Sequence, residues 1–190
     1  MTKKLILDLC GGSGAWSKPY RDDLDYEVVL ITLPDNDVRT YVPPSNVYGV
    51  LAAPPCDEFS QAKRFHGKGN YIHNFIKGME TVNACMRIVL QCQPVFWALE
   101  NPVRYLNRFL GEPNYIFDAW EFGDSYQKVT GLWGNFNPPI KTVTQKPEGI
   151  KKFSLLLNDE IHPEYLPMNR KERRAITPIG FAEAFKSANP

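Results

Sequence analysis

Short apolar runs rich in strand-forming residues alternate along this chain with helical segments, and each run ends in a loop. The apolar runs predict strands over residues 4–9, 26–32, 47–52 and 95–99, and a later, more solvated strand over 128–136. Helical spacing and turn signals predict helices over residues 15–20, 75–92 and 176–188. Such alternation predicts a Rossmann-like α/β fold with a largely parallel sheet flanked by helices.

Composition places few limits on what this chain does. Its 190 residues include 22 basic and 21 acidic side chains, a balance that neither indicates nor excludes a nucleic-acid partner. The length predicts a single domain over residues 1–190. Asp8 comes too early for a signal peptide, and no apolar run has membrane-spanning length. A cytoplasmic protein with no membrane contact is therefore expected.

The cysteines predict free thiols in a reducing compartment. They form no Cys-x-x-Cys pair, and no histidine lies at zinc spacing from them. We therefore expect neither a metal nor a disulfide. The cysteines are Cys10, Cys56, Cys85 and Cys92.

Two short motifs carry most of the chemistry. Pro54-Pro55-Cys56 places a cysteine on a proline-stiffened loop, and Glu100-Asn101-Pro102 places a carboxylate at a strand end. A catalytic cysteine needs a nearby cation, base or helix N-terminus to raise its thiolate fraction. A glutamate beside an apolar strand tends to have a raised pKa, which suits hydrogen bonding to a heteroaromatic nitrogen. The pair suits addition to a pyrimidine ring, whereas a plain proline turn and a proline-stopped strand are the simpler interpretations.

The fold prediction brings these groups to one place. Asp8, Cys56 and Glu100 each lie at the end of a predicted strand. In open parallel sheets, ligands bind beyond the carboxyl ends of the strands. We therefore expect all three residues along one edge of the sheet.

A glycine-rich turn, Asp8-Leu9-Cys10-Gly11-Gly12-Ser13-Gly14, follows the first predicted strand. Glycines at this place let the backbone approach a ligand closely and expose amide groups at the start of the next helix. The spacing is not that of a phosphate-binding P-loop, and it suits an adenosyl ligand better than a triphosphate. A tight strand-to-helix turn without a ligand is the alternative.

The order of these motifs resembles that of the cytosine-C5 DNA methyltransferases, in particular the small versions found in phages and mobile elements, some of them parts of restriction-modification systems. The resemblance covers most of the chain and implies a class I methyltransferase fold. The matching segments are the turn at 8–14, Pro55-Cys56 with Phe59-Ser60, Glu100-Asn101, 126–128, 132–136 and the closing helix at 176–182.

The resemblance also implies the reaction partners and the site. S-adenosylmethionine is the implied cofactor and cytosine in DNA the implied substrate, with Cys56 adding to C6 of the ring and Glu100 holding N3. The residues implied to bind the cofactor are Asp8, Cys10, Gly11, Gly12, Gly14, Thr32, Asp37 and Pro54. Those implied to bind the substrate are Pro55, Ser60, Asn101, Gln127 and Lys128.

The chain departs from the family pattern in four places. Cys10 replaces the aromatic residue of the family's glycine turn. Thr32 replaces the acidic residue that ends the family's second strand, although Asp35 and Asp37 follow closely. The family's Gln-x-Arg-x-Arg motif reads Gln127-Lys128-Val129-Thr130-Gly131, without either arginine. Residues 137–169 are too few for a target-recognition domain. Binding to single-stranded or weakly specific DNA, or a partner subunit for target recognition, is therefore expected.

Basic residues cluster over 60–70 and over 169–174, where they are candidates for contact with DNA phosphates or form solvated surface. Two other functions stay open. One is a catalytically weakened relative that binds cofactor or DNA as a subunit or anti-restriction factor. The other is an unrelated cysteine hydrolase that pairs Cys56 with a histidine. The histidines of the chain are His66, His73 and His162.

Overall fold

A six-stranded, mostly parallel sheet organises the protein in a computed structural model, which describes residues 2–60, 72–157, 160, 168–169, 172–173 and 175–190. The strands are β1 (Lys4–Leu9), β2 (Tyr26–Ile31), β3 (Val47–Ala52), β4 (Phe96–Asn101), β5 (Tyr115–Asp118), β6 (Tyr126–Gln127), β7 (Val129–Asn135) and β8 (Lys151–Lys152). The helices are α1 (Lys18–Arg21), α2 (Phe75–Cys92), α3 (Asn107–Leu110) and α4 (Ile179–Ala188), with 3-10 turns at Ala119–Phe122 and Phe153–Leu155. The predicted Rossmann-like α/β fold is confirmed.

The strand order in the large sheet is β2-β1-β3-β4-β7-β5. Strands β2, β1, β3 and β4 are mutually parallel, whereas β7 runs antiparallel between β4 and β5. Strands β6 and β8 form a separate parallel pair. Because β1, β3 and β4 are adjacent, their carboxyl ends form the edge that the sequence predicted for the site.

Each face of the sheet is covered by its own apolar layer. Strand alternation sends Leu7 and Leu99 into the cluster that contains the buried side of α2, and sends Ile6 and Ala98 into the cluster under α4. On the α4 face, the ring of Phe181 stacks on Phe117 with centroids 4.0 Å apart. The sheet is therefore held rigidly from both sides.

Helix α2 has the bounds that its apolar periodicity predicted. Asn74 caps its first turn by accepting a hydrogen bond from the Lys77 amide at 3.0 Å. Gln93 ends the helix in the left-handed conformation, with φ of 47°, immediately before Pro94. The closing helix begins at Ile179 instead of 176, because Pro178 takes the cap position and extended dihedral angles.

The strand predicted over 128–136 is present as β7, but the prediction that it is solvated was wrong, because the middle of β7 is buried. Strand β7 is an interior strand of the sheet, and Leu132 has no exposed surface. Its glycines explain the weak apolar pattern: a Cβ on Gly134 would lie 2.1 Å from the backbone oxygen of Trp97. Strand β5 was missed because its four residues are too few to show a period.

Several predictions fall on residues that the structure does not describe. Most of the basic segment 60–70 lies there, as do Arg170, Lys171 and Arg174 of the second basic cluster. Among the described residues, no helix is both long and apolar enough to cross a membrane. No group of three or more metal-ligating side chains occurs in that part of the chain either.

Candidate active site

One hydrogen bond joins the two chemical motifs. Strands β3 and β4 lie side by side, with Ala52 opposite Leu99. Just beyond them, the side-chain Nδ2 of Asn101 donates a hydrogen bond to the backbone oxygen of Pro54 at 2.9 Å. Asn101 has no exposed surface. The Pro-Pro-Cys loop is therefore fixed directly to the strand end that carries Glu100.

The residues after Cys56 anchor its loop to the start of α2. The backbone oxygen of Cys56 accepts hydrogen bonds from the amides of Phe59 and Ser60, each at 2.9 Å. The Phe59 ring is fully buried, and the carboxylate of Glu58 accepts a hydrogen bond from the Asn74 amide at 2.8 Å. Cys56 itself remains exposed. This arrangement presents a thiol to solvent from a loop held at both ends.

Glu100 and Cys56 lie close enough to influence each other's ionisation. Burial raises the pKa of Glu100, while the charge of Lys128 and a hydrogen bond from the Thr130 side chain oppose that rise. Desolvation by the surrounding protein raises the pKa of the Cys56 thiol, and the Glu100 carboxylate raises this pKa further. The Lys128 ammonium lowers it. A thiolate at Cys56 is therefore easiest to form when Glu100 is protonated.

The glycine turn after β1 adopts the conformation that its composition predicted. Cys10, Gly12 and Gly14 all have left-handed φ angles, of 61°, 55° and 68°. A Cβ on Gly12 would meet no atom within 4 Å, so the turn is open above that residue. A Cβ on Gly11 would lie 2.1 Å from the Asp8 carboxylate, so only glycine fits there. The turn therefore has an open outer surface and a closely packed inner one.

Asp8 supports this turn from beneath. It has no exposed surface, and its Oδ2 accepts a hydrogen bond from the Ser17 hydroxyl at 2.5 Å. Within the described part of the chain, its Oδ1 has no hydrogen-bond partner. Burial raises the pKa of Asp8 to about 6. The carboxyl group thus shapes the turn from inside the fold.

Cys10 connects the glycine turn to α2. Its side chain hydrogen-bonds the buried thiol of Cys85, and this contact together with burial raises the pKa of Cys85. Cys10 is partly buried against the apolar cluster on that face. The turn is therefore fixed on one side to Asp8 and on the other to the longest helix.

The residues after β2 form a second turn near the first. The backbone oxygen of Thr32 accepts a hydrogen bond from the Asn36 amide at 2.9 Å. The Asp37 carboxylate accepts hydrogen bonds from Nε and Nη2 of Arg39, at 2.9 and 2.6 Å. This pairing lowers the pKa of Asp37 to about 2. Asp37 is thus ionised and engaged by Arg39, beside the edge strand of the sheet.

Gln127 and Lys128 are held by Asp118. The Asp118 carboxylate accepts hydrogen bonds from the Lys128 amide at 2.6 Å and from Nε2 of Gln127 at 3.3 Å. The Lys128 ammonium lies 3.5 Å from the backbone oxygen of Ile176, just before α4. Sequence reasoning missed Asp118 and Thr130, and the signal for Thr130 was the alternation of side chains along β7.

His73 is the histidine of the chain that falls among the described residues. Its Nδ1 lies 2.8 Å from the backbone oxygen of Glu58, and its ring packs against Phe75 and Tyr105. His73 therefore contributes to the anchoring of the Cys56 loop.

Two open clefts along α2, of about 360 and 330 Å³, lie away from this site. Their walls include Arg39, Glu80 and Phe109, and neither Cys56 nor Glu100 lines them. The candidate active site is instead the exposed edge at the carboxyl ends of β1, β3 and β4.

Solved structures that are similar to this chain include the two that follow. No family profile and no curated protein sequence matches the chain. An E. coli prophage protein described as a DNA modification methyltransferase is 15% identical over 70% of this chain and 47% of its own, with a TM-score of 0.49. The Entamoeba histolytica methyltransferase EhMeth is 10% identical over 79% of this chain and 58% of its own, with a TM-score of 0.41. The chain thus spans about half the length of these proteins.

Replacing Asn101 tests the bond between the two motifs. We expect Asn101→Ala to lower the free energy of unfolding by about 1–3 kcal/mol, because the buried Pro54 oxygen loses its donor. Urea unfolding followed by circular dichroism measures the change. Asn36→Ala, at an exposed position, is the control and should differ little from wild type. Equal stability of the two variants would contradict the assigned role.

Replacing Asp8 tests the buried carboxyl group through its pH dependence. The folded protein holds the Asp8 proton up to about pH 6, whereas the unfolded chain releases it near 3.8. The native state therefore binds more protons between these values, and its free energy of unfolding falls as the pH rises through them. Asp8→Asn lacks this loss, so its stability relative to wild type should rise by about 2 kcal/mol between pH 4 and 7. Urea unfolding across this range measures it, and parallel curves for the two proteins would refute the assignment.

Proposed function

We propose that this protein transfers a methyl group from S-adenosylmethionine to C5 of cytosine in DNA, with residues 1–190 acting as one catalytic domain. The observation that carries this proposal is the Asn101–Pro54 hydrogen bond, which holds the Cys56 loop against the strand end bearing Glu100. A nucleophile and a proton-holding carboxyl group on one exposed edge suit a flat heteroaromatic ring.

Cys56 is the nucleophile. Its thiolate adds to C6 of the cytosine ring, and the electrons of the C5–C6 double bond move to C5. Cys56 is exposed on an anchored loop, so a ring can approach it without rearrangement of the core. When the C5 proton is lost, the double bond re-forms and Cys56 leaves as thiolate.

Glu100 holds the ring and supplies the proton that the addition requires. Its raised pKa favours the carboxylic acid, which donates a hydrogen bond to N3 as negative charge develops on the ring. Protonated Glu100 also no longer repels the Cys56 thiolate. A single proton on this pair, carried by Glu100, is therefore the reactive state.

The glycine turn supports S-adenosylmethionine as the cofactor. The open surface at Gly12 and the left-handed backbone at Cys10, Gly12 and Gly14 suit close approach of an adenosyl compound. When bound, this cofactor supplies an electrophilic methyl group to C5. Cys10, Gly11, Gly12 and Gly14 would hold it from the turn, while Thr32, Asp37 and Pro54 follow neighbouring strands; Asp8 would act by shaping the turn.

The expected DNA is one whose target base is readily accessible. A base in a duplex must be rotated out of the stack, at a cost of about a few kcal/mol, before it reaches a thiol on the protein surface. Residues 137–169 leave no room for a large recognition domain. We therefore favour single-stranded or weakly specific DNA, or target choice by a partner subunit, with Pro55, Ser60, Gln127 and Lys128 nearest the base. Asn101, which has no exposed surface, would act on the substrate by holding the Pro54 backbone.

Transfer of label from tritiated S-adenosylmethionine to single- and double-stranded DNA tests this function. Wild type should label cytosine, Cys56→Ser should give background, and Glu100→Gln should be slower by about 100-fold or more. Asn36→Ala, at an exposed position, is the control for the effect of making any substitution, and its rate of label transfer should match that of wild type. Cofactor binding without label transfer by the wild type would refute the proposal and favour a non-catalytic relative.

A further inference from the structure

Side chains alternate along the segment that enters β7. Glu100 lies opposite Leu132 in the antiparallel pair of β4 and β7, so both project to the same face of the sheet. Lys128 and Thr130 precede Leu132 at intervals of two residues and project to that face as well. Val129 is 53% exposed on the opposite side, and Gly131 has no side chain. Val129 and Gly131, which stand where the family motif has its two arginines, therefore do not share the face of Glu100.

Thr130 is built into this face. It is only 1% exposed, and its side chain hydrogen-bonds the Glu100 carboxylate. The single hydroxyl proton of Thr130 is donated either to the Glu100 carboxylate or to the backbone oxygen of Lys128, which lies 3.3 Å from the hydroxyl oxygen. A buried hydroxyl placed between a carboxylate and the adjacent backbone fixes the orientation of that carboxylate.

Lys128 precedes Thr130 by two residues. Its backbone amide donates a hydrogen bond to the Asp118 carboxylate at 2.6 Å. Its half-buried side chain passes the ring of Phe153 and reaches the backbone oxygen of Ile176 at 3.5 Å. Among the described residues, the ionisable groups that act on the Cys56 thiol are Asp57 on the loop, Glu100 on β4 and Lys128 before β7. Lys128 is the cation of this described set.

We propose that the Lys128 ammonium is the counter-charge that stabilises the Cys56 thiolate, and that Thr130 is the positioning residue that orients Glu100. The Lys128 ammonium acts electrostatically on both Cys56 and Glu100, and Cys56 must be negative for the addition to begin. Its charge lowers the pKa of both, which opposes the effect of burial. The catalytic use of Lys128 and Thr130 rests on the proposed function. Their effects on the ionisation of Cys56 and Glu100 do not depend on it.

The reactivity of Cys56 tests Lys128 without cofactor or DNA. The rate of iodoacetamide alkylation is measured against pH from the mass of the peptide that carries Cys56. Lys128→Met should shift the profile to higher pH and slow alkylation at pH 8 by roughly threefold or more, because the thiolate loses its nearby cation. Lys128→Arg, which keeps the charge, should match wild type, as should the exposed-site control Val129→Ala. Lys128→Gln serves as a second uncharged variant if Lys128→Met does not fold. An unchanged profile in the uncharged variant would overturn the proposal.

Titration of Glu100 tests Thr130. Carbon-13 NMR of the side-chain carboxyl follows its ionisation, with the signal assigned by its loss in Glu100→Gln. Thr130→Val should raise the midpoint, since the charged form loses a hydrogen bond, and Thr130→Ser should restore it. Equal midpoints in the valine and serine variants would overturn the role.

Methyl transfer measured on the same proteins separates this inference from the proposed function. Slower alkylation of Cys56 in Lys128→Met, together with no methyl transfer by wild type, would refute the proposed function and keep the inference. Active wild type with unchanged alkylation in Lys128→Met would refute the inference alone.

Discussion

The hydrogen bond from Asn101 to the Pro54 oxygen is the constraint on which the candidate site depends. It joins a loop after β3 to the last residue of β4, at 2.9 Å and with Asn101 fully buried. A loop that carries an exposed cysteine would otherwise have many positions relative to Glu100. Because a buried polar group is costly to leave unpaired, this hydrogen bond selects one position of the loop relative to Glu100. The anchoring of Phe59 beneath α2 then fixes the other end of the loop.

That placement has an electrostatic consequence. A thiol and a carboxyl group that are held near each other and near the Lys128 ammonium do not ionise independently. Proton loss from one group opposes proton loss from the other. The pair is suited to a reaction in which one member attacks while the other donates, and Thr130 holds the donor in place.

The sequence predicted elements whose residues follow a clear period. Strands β1 and β3 and helix α2 have the predicted bounds, and their adjacency confirms that Asp8 and Glu100 share one edge with the Cys56 loop. The surroundings of β7 could not be predicted, because its glycines remove the apolar signal while allowing close strand contact. The role of Thr130 depends on antiparallel register with β4, which is a tertiary property. Side-chain alternation along β7 indicates which residues share a face with Thr130, but it does not indicate which strand pairs with β7.

The central claim is that Cys56 and Glu100 act together on one cytosine ring. Incubation with S-adenosylmethionine and an oligonucleotide containing 5-fluoro-2′-deoxycytidine tests it most directly, because fluorine at C5 blocks the proton loss that would release the thiol. The account predicts a stable protein–DNA adduct whose peptide mass locates the nucleotide on Cys56, and no such adduct with Cys56→Ser. Recovery of free oligonucleotide from cofactor-bound wild type, or an adduct on Cys10, Cys85 or Cys92, would contradict it.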